Sequence, residues 1–152
     1  MIAEEEKRIG IALFGLGRAG HIHASNLRSN RRVNLRWIVE DDVEKAKMFA
    51  KENYLDIQVV SSKDIEKVLK DDGLHACIIC TPTFTHEDYV LRSLRAGKAV
   101  FCEKPIATTL AATCKYFTWN IFQLFLLTYF KDDGEGEMGW KGGRKIFWCL
   151  KF

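Results

Sequence analysis

The stretch "RIGIALFGLGRAG", residues 8–20, decides the fold. A short apolar run leads without a spacer into Gly15-Leu16-Gly17-Arg18-Ala19-Gly20, and a segment of helical period follows. In a turn between strand and helix each glycine of G-x-G-x-x-G has its own use. The first permits the tight turn, the second lets backbone amides approach a pyrophosphate, and the third allows helix and strand to pack closely. The helix start adds unpaired N–H groups and partial positive charge, which suit phosphate. Gly15, Gly17, Arg18, Ala19 and Gly20 are therefore expected to hold the phosphates of a dinucleotide.

Outward from this loop, short apolar runs alternate with longer helical segments as far as Cys102, the pattern of repeated βαβ units and a parallel sheet. Strands are expected at 8–14, 33–40, 56–60, 74–80 and 98–102, and helices near 18–29, 42–53, 62–70 and 86–96. Five strands and four crossovers make an α/β fold, a Rossmann-type doubly wound parallel sheet.

The acid that holds the adenosine ribose belongs about 20 residues beyond the loop, at the end of the second strand. Glu40 stands there, with Asp41 and Asp42 as adjacent alternatives. A carboxylate accepts hydrogen bonds from ribose hydroxyls and repels the additional phosphate of NADP, and no arginine follows immediately to attract that phosphate. NAD is the expected cofactor, ahead of NADP.

Two further stretches narrow the reading. "CTPTFTHEDYVLRSLRAGKAVFCEKPIA", residues 80–107, carries T-P-T-x-T-H and E-K-P at a spacing that, with the glycine loop, resembles the Gfo/Idh/MocA oxidoreductases, which include inositol and sugar dehydrogenases. The resemblance runs from residue 8 to about 115. It implies a nucleotide-binding domain that in complete members precedes an α/β substrate domain, commonly also the oligomer interface. It also implies that Thr81, Pro82 and His86 lie along the nicotinamide half of the cofactor and that Glu103 belongs to the cofactor site. Lys104, the implied catalytic residue, reaches toward nicotinamide and substrate hydroxyl. Both stretches fall just past strand ends, the side of an open parallel sheet on which ligands bind. A partly desolvated lysine there can polarise a hydroxyl or relay its proton. His21 and His23 are expected to pack or meet solvent, and His75 to begin a strand.

The pattern breaks after residue 115. Residues 1–115 contain seven aromatics, while residues 116–152 contain eleven of the chain's eighteen. The uncharged run "YFTWNIFQLFLLTYF", residues 116–130, is apolar on every side, and the Gly-rich "KDDGEGEMGWKGGRK" follows. At 15 residues the run is shorter than a membrane span of about 20. The expected division is a dinucleotide-binding domain over 1–115 and a divergent tail over 116–152, with the chain truncated before the family's substrate domain. The resemblance places the family's catalytic Asp and His pair in that second domain. "KAVFC", residues 98–102, is then left as a sheet edge that the aromatic run is placed to cover.

Composition limits the remaining possibilities. A chain of 152 residues with a net charge of +3 accommodates about one domain and carries no concentration of positive charge for nucleic acid. The polar start "MIAEEEKRIG" has no signal-like core, which points to the cytoplasm and to cysteines kept as thiols. Cys77 and Cys80 form C-x-x-C inside an apolar strand, where residues three apart face opposite sides, so they are read as small core hydrophobes and no metal is assigned.

Two functions remain open on the sequence. One is the NAD-binding part of an oxidoreductase acting on a polyol or sugar, inactive until a substrate domain is supplied. The other is a non-catalytic NAD-binding module that associates with a full-length relative.

Overall fold

The computed structural model describes residues 8–109, Ala111 and the pair Phe147–Trp148. The apolar runs form strands β1 (Ile9–Phe14), β2 (Val33–Val39), β3 (Gln58–Val60), β4 (Ala76–Ile79) and β5 (Ala99–Cys102), joined by β6 (Phe147–Trp148). Between them lie helices α1 (Arg18–Ser29), α2 (Val43–Glu52), α3 (Ile65–Leu69) and α4 (Thr83–Arg95). All strand pairs are parallel and the order is β3-β2-β1-β4-β5-β6. The sequence leaves β1 outward in one direction through β2 and β3, then returns to its other side at β4. The crevice at that reversal is where doubly wound sheets bind ligands.

Two apolar layers follow from the period of the strands. On one face Ala12, Phe14, Trp37, Val39, Cys77, Ile79, Val100 and Cys102 pack with Ile65, Val68 and Leu69 of α3 and Val90 of α4. On the other, Leu13, Leu35 and Ile38 pack with Ala24 of α1 and Ala46 of α2. Leu35 and Trp37 would share a face in a regular strand, but the register of β1 against β2 slips at Arg36 and turns them to opposite layers. Cys77 and Cys80 also join opposite layers. Burial, with the Glu103 charge adding to it, pushes the Cys80 thiol up to about 12, which keeps it protonated and unreactive near neutral pH.

The bulged Arg36 has a partner. Asp71, after α3, accepts from Arg36 Nε at 2.7 Å, Trp37 Nε1 at 2.7 Å and the Gly73 amide at 2.8 Å. Burial alone would raise this carboxyl, but the donors outweigh it and hold it at about 2, below the ordinary 3.8. Because the folded value is depressed, the stabilisation is complete above the ordinary value and is lost as pH falls toward 2. A depression of that size corresponds to on the order of 2 kcal/mol. Asp71→Asn should lower stability in urea by that order at pH 7, and its gap to the wild type should close as the melts are repeated from pH 5 downward.

Several boundaries differ from expectation. The segment 62–70 divides into a 3-10 turn, Ser62–Asp64, and α3, because the Ser61 hydroxyl caps the amide of Lys63. Helix α4 begins at Thr83 rather than 86, with Pro82 at its N-cap in extended conformation and the Thr85 hydroxyl donating to the Pro82 carbonyl. Strand β5 is not left as an edge. Val100 and Phe101 pair with Phe147 and Trp148, so the partner is not the expected aromatic run, which lies outside the described residues. No helix among the described residues is long and apolar enough to cross a membrane.

Candidate functional site

Strand ends and helix starts surround a cavity of about 590 Å³ at the reversal point of the sheet. It is lined by Gly15 and Gly17 after β1, Glu40 and Asp41 after β2, Ser62 after β3, and Cys80, Thr81 and Pro82 after β4. Val39, Lys45 of α2 and Phe84, Thr85 and Tyr89 of α4 complete it.

The glycines divide the work of shaping this space. Gly15 adopts φ +86°, and a Cβ there would lie 2.8 Å from the Cys80 carbonyl oxygen and 2.9 Å from the Thr81 nitrogen. Its bareness lets the turns after β1 and β4 touch. A Cβ on Gly20 would meet the Gly15 carbonyl oxygen at 2.1 Å, which leaves room for nothing larger where α1 packs on its own loop. Gly17 is different: it has φ −76°, and a Cβ would meet nothing within 4 Å. The fold does not need that glycine, whereas a group seated against the loop would.

Helix α1 opens on Gly17 with no side-chain cap and no acid in its first turn. Its first helical residue, Arg18, is exposed. A cation at a helix N-terminus opposes the helix dipole, and the opposition is relieved when an anion sits there.

The three consecutive acids after β2 have three separate tasks. Glu40 Oε2 accepts from the Leu16 amide at 2.6 Å, which ties the glycine loop to the end of β2. Asp41 accepts from the Ser62 amide at 3.0 Å, and hydrogen bonding to Ser62 lowers its carboxyl below the ordinary range. Asp42 caps α2 through the Lys45 amide at 3.1 Å. Of the three, Glu40 and Asp41 face the cavity.

On the other side, the Thr81 and Thr85 hydroxyls are hydrogen-bonded to each other at 2.7 Å, stiffening the turn that leads into α4. His86 does not reach the cavity. Its ring is 1% exposed, with Nδ1 2.9 Å from the Pro105 carbonyl oxygen and Nε2 2.8 Å from that of Thr81. Glu103 also lies outside the lining: Oε1 is 2.7 Å from His23 Nε2, and Oε2 accepts from the Lys104 amide at 3.1 Å. The bond from His23 is the main cause that holds the Glu103 carboxyl below its ordinary value. Lys104 is exposed on the same turn. Arg18, Ala19 and Gly20, at the start of α1, are not among the residues that line the cavity.

His23 was expected to pack or meet solvent, and its pairing with Glu103 across 80 residues is the main departure. His21 does pack: its ring meets Phe49 edge-on at 4.9 Å and Nδ1 donates to the Gly17 carbonyl at 2.9 Å. His75 precedes β4, where Nδ1 accepts from the Gly10 amide at 2.9 Å. No motif marks Lys45, Ser62, Phe84 and Tyr89 in the sequence. Their signal was positional, since all four sit just past strand ends or on the helices that follow them.

A family model described as an oxidoreductase family with an NAD-binding Rossmann fold matches residues 9–118. The chain is 38% identical over 106 residues to the scyllo-inositol 2-dehydrogenase (NAD(+)) of Bacillus subtilis, covering 69% of this chain and 30% of that protein. It is 31% identical over 116 residues to human biliverdin reductase A, covering 74% of this chain and 36% of that one. Among solved structures, a putative myo-inositol dehydrogenase of Sinorhizobium meliloti superposes with a TM-score of 0.64 at 30% identity, covering 72% of this chain and 32% of the other. The chain thus spans about a third of the length of the proteins it matches.

Proposed function

The chain belongs to the Gfo/Idh/MocA oxidoreductase family, and from that premise we propose that its 152 residues form the cofactor-holding part of an NAD-dependent dehydrogenase acting on a polyol or sugar. The observation that carries the reading is the cavity at the sheet reversal, with open space against Gly17 and an uncapped helix start beside it. NAD, when bound, supplies the hydride acceptor. The chain's own residues do the rest: the loop amides and Arg18 meet the phosphates, and Glu40 and Asp41 accept from ribose hydroxyls. Thr81 and Pro82 bound the nicotinamide end. Lys104 takes up or relays the proton of the substrate hydroxyl as hydride leaves carbon.

Relatives named for inositol and for biliverdin share this domain, so the domain does not itself select the substrate. Polyol or sugar is favoured because the inositol dehydrogenase of Bacillus subtilis is 38% identical, against 31% for the biliverdin enzyme. In this reading residues 1–115 are the dinucleotide-binding unit, and the chain alone does not turn over because hydride transfer needs a second domain to align the substrate carbon.

Glu40 and Asp41 outnumber Lys45 at the ribose end of the cavity, which favours NAD over NADP. Titration of the chain with each should give NAD an advantage of about tenfold or more, and Glu40→Ala should narrow that ratio. The ratio is the readout because losing the Glu40 bond to Leu16 loosens the loop for both cofactors. Equal affinities in the wild type would refute the assignment.

A further inference from the structure

Lys104 has an anchored neighbour on each side, and the anchors come from different helices. Glu103 is held by His23 of α1 at 2.7 Å, and its amide donates to the Ile79 carbonyl at 2.9 Å. His23 is itself set by the Phe101 ring, edge-on at 5.2 Å. The Pro105 carbonyl is held by His86 of α4 at 2.9 Å, and the same ring reaches back to the Thr81 carbonyl at 2.8 Å. Both contacts of His86 are carbonyl oxygens, so each nitrogen serves as a donor when it carries its proton.

We propose that His23 and His86 are positioning residues that clamp the Glu103-Lys104-Pro105 turn from two sides and so fix where the Lys104 side chain begins. A lysine stem is flexible, and its backbone is the part that the fold can hold. His86 has a second effect, because it joins this turn to the Thr81 turn that lines the cavity. Movement of either turn is passed to the other through one buried ring. The consequence for the cofactor, passed through His86 to the Thr81 turn, rests on the reading above, in which Thr81 bounds the nicotinamide end; the clamp itself does not.

The experiment has two arms on the full 152-residue chain. In the first, hydrogen exchange is followed without cofactor at the amides of Glu103, Lys104 and Ile106. His23→Ala should speed exchange there by about tenfold or more while leaving β1 and β4 unchanged, and His23→Gln, which retains a donor for Glu103, should restore most of the protection. His86→Ala should do the same when its circular dichroism is native; should that variant not fold, His23→Ala decides the matter, since His23 is only half-buried. Unchanged exchange at the turn in His23→Ala would overturn the proposal.

The second arm compares NAD with ADP-ribose, which lacks the nicotinamide. His23→Ala should weaken NAD by about tenfold and ADP-ribose by less than about twofold, with His23→Gln again restoring NAD. Equal weakening of both ligands would mean a general structural role and would overturn the positioning claim. Absence of NAD binding by the wild type would instead refute the cofactor reading, and the exchange arm would still judge the clamp.

Discussion

Replacing Gly17 by valine leaves the domain folded and removes NAD binding. The backbone at Gly17 is extended with φ −76°, a conformation any residue adopts, and a Cβ there meets nothing within 4 Å. Valine therefore costs the free protein little. It fills the space in which a pyrophosphate would rest on the loop, and the expected loss is at least about 100-fold, or roughly 2.7 kcal/mol. Gly20→Ala provides the contrast. Its added carbon would lie 2.1 Å from the Gly15 carbonyl oxygen, so backbone must move, and the melting temperature should fall before any question of ligand arises. A Gly17→Val protein with native melting and undiminished NAD affinity would show that the loop is a turn and nothing more.

Lys104→Ala should be nearly silent in cofactor binding and severe in turnover. Lys104 is exposed on a turn outside the cavity lining, so little of the dinucleotide's affinity should depend on it. In the proposed role its chemistry enters only when a substrate hydroxyl is held nearby. The unmodified chain is expected to produce no NADH from inositol or from a panel of sugars. A fusion that joins the substrate domain of a complete family member after Lys115 should gain turnover, and Lys104→Ala in that fusion should reduce kcat by about 100-fold or more, the range for loss of a proton-transfer group. NADH production by the unmodified 152 residues, surviving removal of contaminating dehydrogenases, would show that they build a substrate site of their own.

The sheet was legible because its evidence is local. Each buried strand is a short apolar run, each helix carries its own period, and the G-x-G-x-x-G that opens α1 is contiguous. The place of Glu40 after β2, on the cavity wall, was legible for a similar reason, since its distance from the loop is set by one helix and one strand. The structure adds that Asp42, an adjacent alternative in the sequence, is the cap of α2.

What escaped the sequence depends on contacts between distant segments. Nothing in "GHIHAS" distinguishes His23, which faces Glu103, from His21, which stacks on Phe49. The difference is a rotation of two residues around α1 and becomes visible only when the strand order places β5 beyond β4. The same is true of His86, whose partners at Thr81 and Pro105 follow different strands. The slip at Arg36 escaped because an inserted residue leaves the apolar content of β2 unchanged while exchanging its faces. The start of α4 is hidden because T-P-T reads as a loop, whereas Pro82 is the N-cap residue here.

Whether these 152 residues hold NAD at the sheet reversal is decided by calorimetric titration of the intact chain with NAD. Saturable binding at one site per chain is expected, lost in Gly17→Val at unchanged melting temperature. A correctly folded chain that takes up no NAD across the titration would contradict it.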